Sequence, residues 1–244
     1  MKPFLLVSTR PEEEALVSEY QAYLHASGLN EDQLELAEFD LIGLPPIDPG
    51  LYQGVFVAGS PYGNGGTDGH VSKTQQWIAD ELRVFFSQII DAGTPLLVTG
   101  TAMTILNSVL GGTNTDAYAE PPQVIDVTVT REGREDPLIA DLAEDFLAYV
   151  NHIDACDELP EGAVRLGWSI NCPAQVVRYG QNVYAVQFNP ELDAEAINRQ
   201  LVAYAEAGDF GVGGIDVLVD TGRNSGGNHR AGKLLRNFVE KFSN

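Results

Sequence analysis

Residues 95–112 read PLLVTGTAMTILNSVLGG. The apolar run Pro95 to Thr99 predicts a buried strand, Gly100 stands at a tight turn, and Thr101 to Leu110 predicts an apolar helix closed by Gly111 and Gly112. A strand–turn–helix of this kind lifts the residue at its apex above the carboxyl end of a sheet. The next backbone N–H is then available to a developing oxyanion. A nucleophile is expected at such an apex. Here the apex is Gly100, which has no side chain.

Towards the N-terminus, apolar runs alternate with helical patterns. Phe4 to Val7 predicts a strand, Glu12 to Ala26 a helix, Leu34 to Phe39 a second strand and Gly54 to Ala58 a third. The glycine-rich loop GSPYGNGGTDG follows, and Ser72-Lys73-Thr74-Gln75 matches a capping box that opens an amphipathic helix ending near Gly93. Strands separated by long helices predict a parallel sheet covered on both faces. Towards the C-terminus, Val124 to Thr130, Ala163 to Ser169, Gln175 to Arg178 and Val183 to Phe188 are short runs between turn residues, the pattern of an antiparallel annex. Helices are expected at Ala194 to Glu206 and from about Gly232 to Phe242. With no internal repeat and no low-complexity linker, one α/β domain over 1–244 with a β-rich insertion is expected.

The 244 residues are 44% hydrophobic, enough for a full core. The net charge of −21, from 35 acidic and 14 basic residues, repels phosphate backbones and anionic lipid. Nucleic-acid and membrane-surface partners are therefore not expected; a solvated acidic surface or a cationic partner remains. No apolar run approaches a membrane span, and Met1-Lys2-Pro3 leads into a strand rather than a signal peptide. Cys156 and Cys172 are too few for a disulfide framework and lack metal-ligand spacing, so a reduced cytoplasmic setting and two buried inert thiols are expected.

Three stretches together resemble class I glutamine amidotransferase domains: the strand–turn–helix, the AGSP loop after the third strand, and AVQFNPELD at 185–193. That family carries G-x-C-x-G-x-Q, G-G-x-P and Q-F-H-P-E at the corresponding places. The resemblance covers roughly residues 3–205, is nearest to stand-alone, GMP-synthase-like domains, and leaves 206–244 as a C-terminal helical extension. It implies a flavodoxin-like three-layer α/β sandwich with a central, mostly parallel sheet and a smaller antiparallel β annex. It also implies a cysteine nucleophile, a histidine base and an orienting glutamate. At those positions stand Gly100, Asn189 and Glu191, with Thr104 in place of the glutamine and Val98 and Ala102 in place of the flanking glycines.

Glycine offers no nucleophile, and asparagine does not exchange a proton near neutral pH. Without a histidine to orient, Glu191 is expected to cap a helix or to be solvated. The resemblance assigns the oxyanion hole to the N–H groups of Gly59 and Thr101. Either these hold a small carboxylate or carboxamide such as glutamine, or both amides meet solvent at a loop. Thr101 and Ser60 each carry a hydroxyl, but a helix start and a turn account for them. His152, in VNHID, could line the ligand site or be structural. GGNHRAGKLL nearly matches a phosphate loop, but Leu234 occupies the place of the magnesium-binding hydroxyl, so a surface loop is expected.

The expected function is thus an amidotransferase-like module without glutaminase activity that binds a small ligand, regulates, or meets a separate synthetase or regulatory protein. No cofactor and no metal are expected. The alternative is a hydrolase or amidase using a nucleophile foreign to the family, such as Thr101 or Ser60.

Overall fold

The structure, a computed structural model, describes residues 2–39, 43–59, 72–142, 145–192 and 230–243. The parallel part contains β1 (Phe4–Ser8), α1 (Glu13–Ser27), β2 (Leu34–Glu38), β3 (Val55–Val57), α2 (Lys73–Asp91), β4 (Leu96–Thr99) and α3 (Ala102–Val109). There follow β5 (Asn114–Thr115), β6 (Glu120–Val129), α4 (Arg131–Glu135), β7 (Asp145–His152), β8 (Ala155–Cys156) and β9 (Ala163–Trp168). β10 (Val176–Tyr179), β11 (Val183–Val186) and α5 (Lys233–Phe242) complete the order.

β1 is buried along its whole length, as the uninterrupted apolar run FLLVS requires of a strand covered on both faces. Alternate residues serve two layers. Phe4 and Leu6 join Tyr23, Phe56, Leu97, Tyr184 and Phe238 on the side of α1 and α5. Leu5 and Val7 join Val57, Leu82, Phe86, Val98 and Leu106 on the side of α2 and α3. The expected capping box is formed: the Gln75 N–H donates to Ser72 Oγ at 3.1 Å and the Ser72 N–H donates to Gln75 Oε1 at 2.6 Å.

The main sheet runs β2-β1-β3-β4-β11-β10-β9-β6-β7, parallel from β2 to β11 and antiparallel beyond it. The antiparallel annex is therefore a continuation of the same sheet. Its strand β7, which sequence patterning did not single out, pairs with β6 through most of its length. β5 and β8 form a separate two-stranded ribbon.

Helix α5 is part of the core rather than an appendage. Leu234, Leu235 and Phe238 are buried, and the Phe238 ring lies 5.1 Å from that of Phe56. Gly232 opens this helix and Lys233 pairs with Asp141 at 3.0 Å, so the phosphate-loop lookalike supplies a helix start. The helix expected at Ala194 to Glu206 lies outside the described residues. Among the described residues, no helix is long and apolar enough to cross a membrane.

Candidate functional site

Because β1, β3, β4 and β11 run parallel, their carboxyl ends meet at one edge of the sheet, the edge where open α/β sheets present ligand sites. Gly100 leaves β4 with φ +57, the left-handed conformation that glycine adopts without penalty. Its N–H donates to Val186 O at 2.9 Å and its carbonyl accepts from the Met103 N–H at 3.0 Å. The turn thus ties β4 to β11 and starts α3.

Asn189 lies over this turn, held by its N–H to Tyr149 O at 3.1 Å. A Cβ placed on Gly100 would sit 3.2 Å from Asn189 Oδ1 and 3.2 Å from Gly59 Cα, and one placed on Gly59 would sit 3.1 Å from the same oxygen. Gly59, Gly100 and Asn189, three of the residues singled out by the resemblance, are therefore brought together. The packing suits side-chain-free positions beneath a carboxamide.

The Gly59 N–H, however, does not stand open as the oxyanion reading requires. It donates to Thr99 Oγ1 at 3.0 Å, and Thr99 Oγ1 lies 3.1 Å from the Tyr23 hydroxyl. A threonine at the end of β4 points its side chain at the neighbouring loop and satisfies the amide internally. Thr101 precedes α3 and gives no side-chain cap to it, while the buried Thr104 hydroxyl donates to Thr101 O at 2.9 Å. Ser60 lies outside the described residues.

Glu191 also departs from expectation. It is not solvated but 4% exposed, with Oε2 unpartnered among the described residues, and the helix it was expected to cap lies outside them. Burial, reinforced by the negative charge of Glu19, pushes its carboxyl up to about 8. Residues Glu19, Arg10 and Ser8, absent from the sequence reading, form the polar floor here. Arg10 Nε donates to Glu19 Oε1 at 2.8 Å and Ser8 Oγ donates to Glu19 Oε2. Burial, then Glu191 and Glu19, raise the Tyr23 phenol well above its usual value. A signal for Glu19 existed: it falls at helical spacing between the buried Ala15, Leu16, Ala22 and Tyr23.

His152 Nε2 lies 2.9 Å from Glu120 Oε2 and its Nδ1 3.2 Å from Asp154 O, in a fully buried cluster that includes Ser169, Cys172 and Gln175. The imidazole is thus held from both ring nitrogens at the end of β7, the strand whose Tyr149 carbonyl also receives the Asn189 N–H. Glutamate, histidine and cysteine occur together here, yet both ring nitrogens face other groups and none of the three is exposed, so a hydrolytic triad is excluded. The thiols of Cys156 and Cys172 are both pushed up to about 12, chiefly by burial, which makes them poor nucleophiles. A groove of about 630 Å³ beside β2, between Glu35, Glu38, Leu44 and Tyr52, shares no residue with either cluster.

No protein-family profile matches the chain. Sequence comparison finds a subunit of the glutamine-hydrolyzing GMP synthase of Natronomonas pharaonis, 32% identical over 125 residues that are 49% of this chain and 59% of that one. The glutamine-hydrolyzing GMP synthase of Ruminiclostridium cellulolyticum is 29% identical over 105 residues, 43% of this chain and 20% of that one. The chain thus matches only part of the length of these relatives. Among solved structures, a glutamine amidotransferase from Thermotoga maritima superposes with a TM-score of 0.74 at 17% identity, covering 99% of this chain and 98% of that one. One from Methylobacillus flagellatus superposes with a TM-score of 0.72 at 14% identity, covering 100% of this chain and 96% of that one. The structural matches carry the fold and the sequence matches carry the kinship. With the elbow at Gly100 in place between β4 and α3, the chain has the fold of the glutamine amidotransferases it superposes on, and about half of its sequence is similar to GMP synthase chains.

Proposed function

We propose that this protein has given up glutamine hydrolysis and works as a small-ligand-binding, regulatory or partner module on the amidotransferase scaffold. The observation that carries this reading is the turn itself. Gly100 keeps the left-handed elbow conformation, and the groups around it are Asn189 Oδ1 and the Gly59 backbone, not a thiol and an imidazole. Covalent amidohydrolysis needs a nucleophile and a group that takes its proton. Glutamine or a related small carboxylate or carboxamide is the proposed ligand, and a separate synthetase or regulatory protein the proposed partner. The Natronomonas relative, named as one subunit of a GMP synthase, supports a partner of this kind.

The test is ammonia release from glutamine combined with thermal-shift titration by glutamine and glutamate. The protein is expected to release no ammonia above background while glutamine raises Tm. Ammonia release that disappears when residues around Gly100 are altered overturns the proposal. The double variant Gly100→Cys with Asn189→His is expected to show weak glutaminase activity, and either single variant almost none, because nucleophile and base act as one unit.

A further inference from the structure

The cluster Glu120, His152 and Cys172 is used by nothing described so far. Among the described residues these three buried side chains form the group whose carboxylate oxygen, imidazole nitrogen and thiol sulfur all lie within 4.8 Å of one another. We propose that it is a binding site for a divalent transition-metal cation of the zinc type, with three protein ligands.

The donor set fits that chemistry. Imidazole, thiolate and carboxylate are the ligand types of zinc, whereas magnesium and calcium prefer oxygen alone. With His152 neutral and Cys172 and Glu120 ionised, the three groups carry two negative charges, which one divalent cation balances. Binding then displaces the thiol proton of Cys172 and the proton between His152 Nε2 and Glu120.

The surroundings are those that orient metal ligands. His152 Nδ1 lies 3.2 Å from the Asp154 carbonyl, the contact that fixes a ligating imidazole with its other nitrogen turned inward. Glu120 Oε1 accepts from Ser169 Oγ at 3.1 Å, and a backbone N–H at Ala174 donates to the Cys172 sulfur. Gln175, fully buried, donates from Nε2 to Glu120 Oε2, while the oxygen of the same amide has no partner among the described residues. An unpartnered buried amide oxygen beside a buried carboxylate marks a place short of positive charge.

Between Ser169 and Cys172 of the cluster, Ile170 and Asn171 are exposed, Ile170 by 87%, so the cluster lies under a surface segment of chain. The protein's net charge of −21 concentrates cations at its surface. Other charged or titratable groups near the cluster are Asp154 and Asp116 on the His152 side, and Arg165 and Cys156 on the Cys172 side.

The test is titration of the metal-free full-length protein with Co²⁺ and then Zn²⁺. One equivalent of Co²⁺ should bind and give a thiolate-to-cobalt charge-transfer band in the near ultraviolet, which one equivalent of Zn²⁺ displaces. Cys172→Ser should lose the band, and Cys156→Ser, which changes the other buried thiol, should keep it. Zn K-edge absorption of the unmodified protein should show one sulfur ligand, a readout that does not depend on any variant folding. Failure of the unmodified protein to take up stoichiometric metal, a band that survives in Cys172→Ser, or a zinc shell without sulfur overturns the proposal.

Discussion

At the carboxyl edge of the parallel strands the chain keeps an elbow backbone, with Gly100 at φ +57, but surrounds it with Asn189 and a buried Glu191. In the antiparallel half it gathers Glu120, His152 and Cys172, all buried and none of them on an elbow. One region has the backbone of an elbow with a glycine at its apex; the other has a thiol, an imidazole and a carboxylate without an elbow. Backbone shape and side-chain chemistry are thus separable in this fold. The elbow persists because hydrogen bonds to Val186 and Met103 join a strand to a helix, a role that needs no catalytic side chain. Fold kinship alone therefore does not license an activity.

Three measurements sharpen this contrast. The largest effect is expected in the antiparallel half. Glu120→Ala leaves His152, Ser169 and Gln175 without their buried acceptor, and each buried polar group left unsatisfied costs about 1–3 kcal/mol. Urea unfolding should show this as a lower midpoint; an unchanged midpoint would mean that the cluster does not hold β6 to its neighbours.

At the elbow, Gly100→Ala should cost about 1–3 kcal/mol, since a Cβ meets both a left-handed φ and contacts of 3.2 Å to Asn189 Oδ1 and Gly59 Cα. Thermal denaturation reads this, and a neutral outcome would show that the turn relaxes to negative φ when its glycine is lost.

The third effect is a slope. The Glu191 carboxyl stands at about 8 in the fold against an ordinary 4.5, so the native state holds a proton that the unfolded chain releases. Stability should therefore be greatest below about 4.5 as far as this group is concerned. It should decline as pH rises through about 8, by at most about 1.4 kcal/mol per pH unit. Glu191→Gln cannot ionise and should flatten that decline. If chemical denaturation between pH 5 and 9 gives parallel curves for the two proteins (roughly equal losses per pH unit), Glu191 is already paired or solvated.

Much of the parallel half could be read from residue order. The capping box at Ser72 and Gln75, the buried run FLLVS and the glycine at the elbow are local signals, each depending on a few neighbouring residues. The candidate site was legible where it rested on motif order, which singled out Gly59, Gly100 and Asn189. It was misread where side chains reach across elements. Thr99 takes the Gly59 N–H across 40 positions of chain, and Glu191 is buried, with the charge of Glu19 of α1 adding to the rise that burial gives its carboxyl. The partner of His152 was not legible for the same reason, since its carboxylate lies 32 positions earlier.

From the sequence alone came the resemblance to amidotransferase domains, the alternation of strand and helix, and the glycine and asparagine that stand where that resemblance puts a thiol and an imidazole. These follow from residue identity and short-range periodicity, which no packing can alter. The tertiary structure decided that the annex extends the main sheet, that α5 completes the core, that the Gly59 amide is occupied, and that a glutamate, a histidine and a cysteine from distant segments share one buried pocket. Those outcomes depend on which strands pair and which side chains lose water together, and contacts between distant segments leave no fixed spacing in the chain.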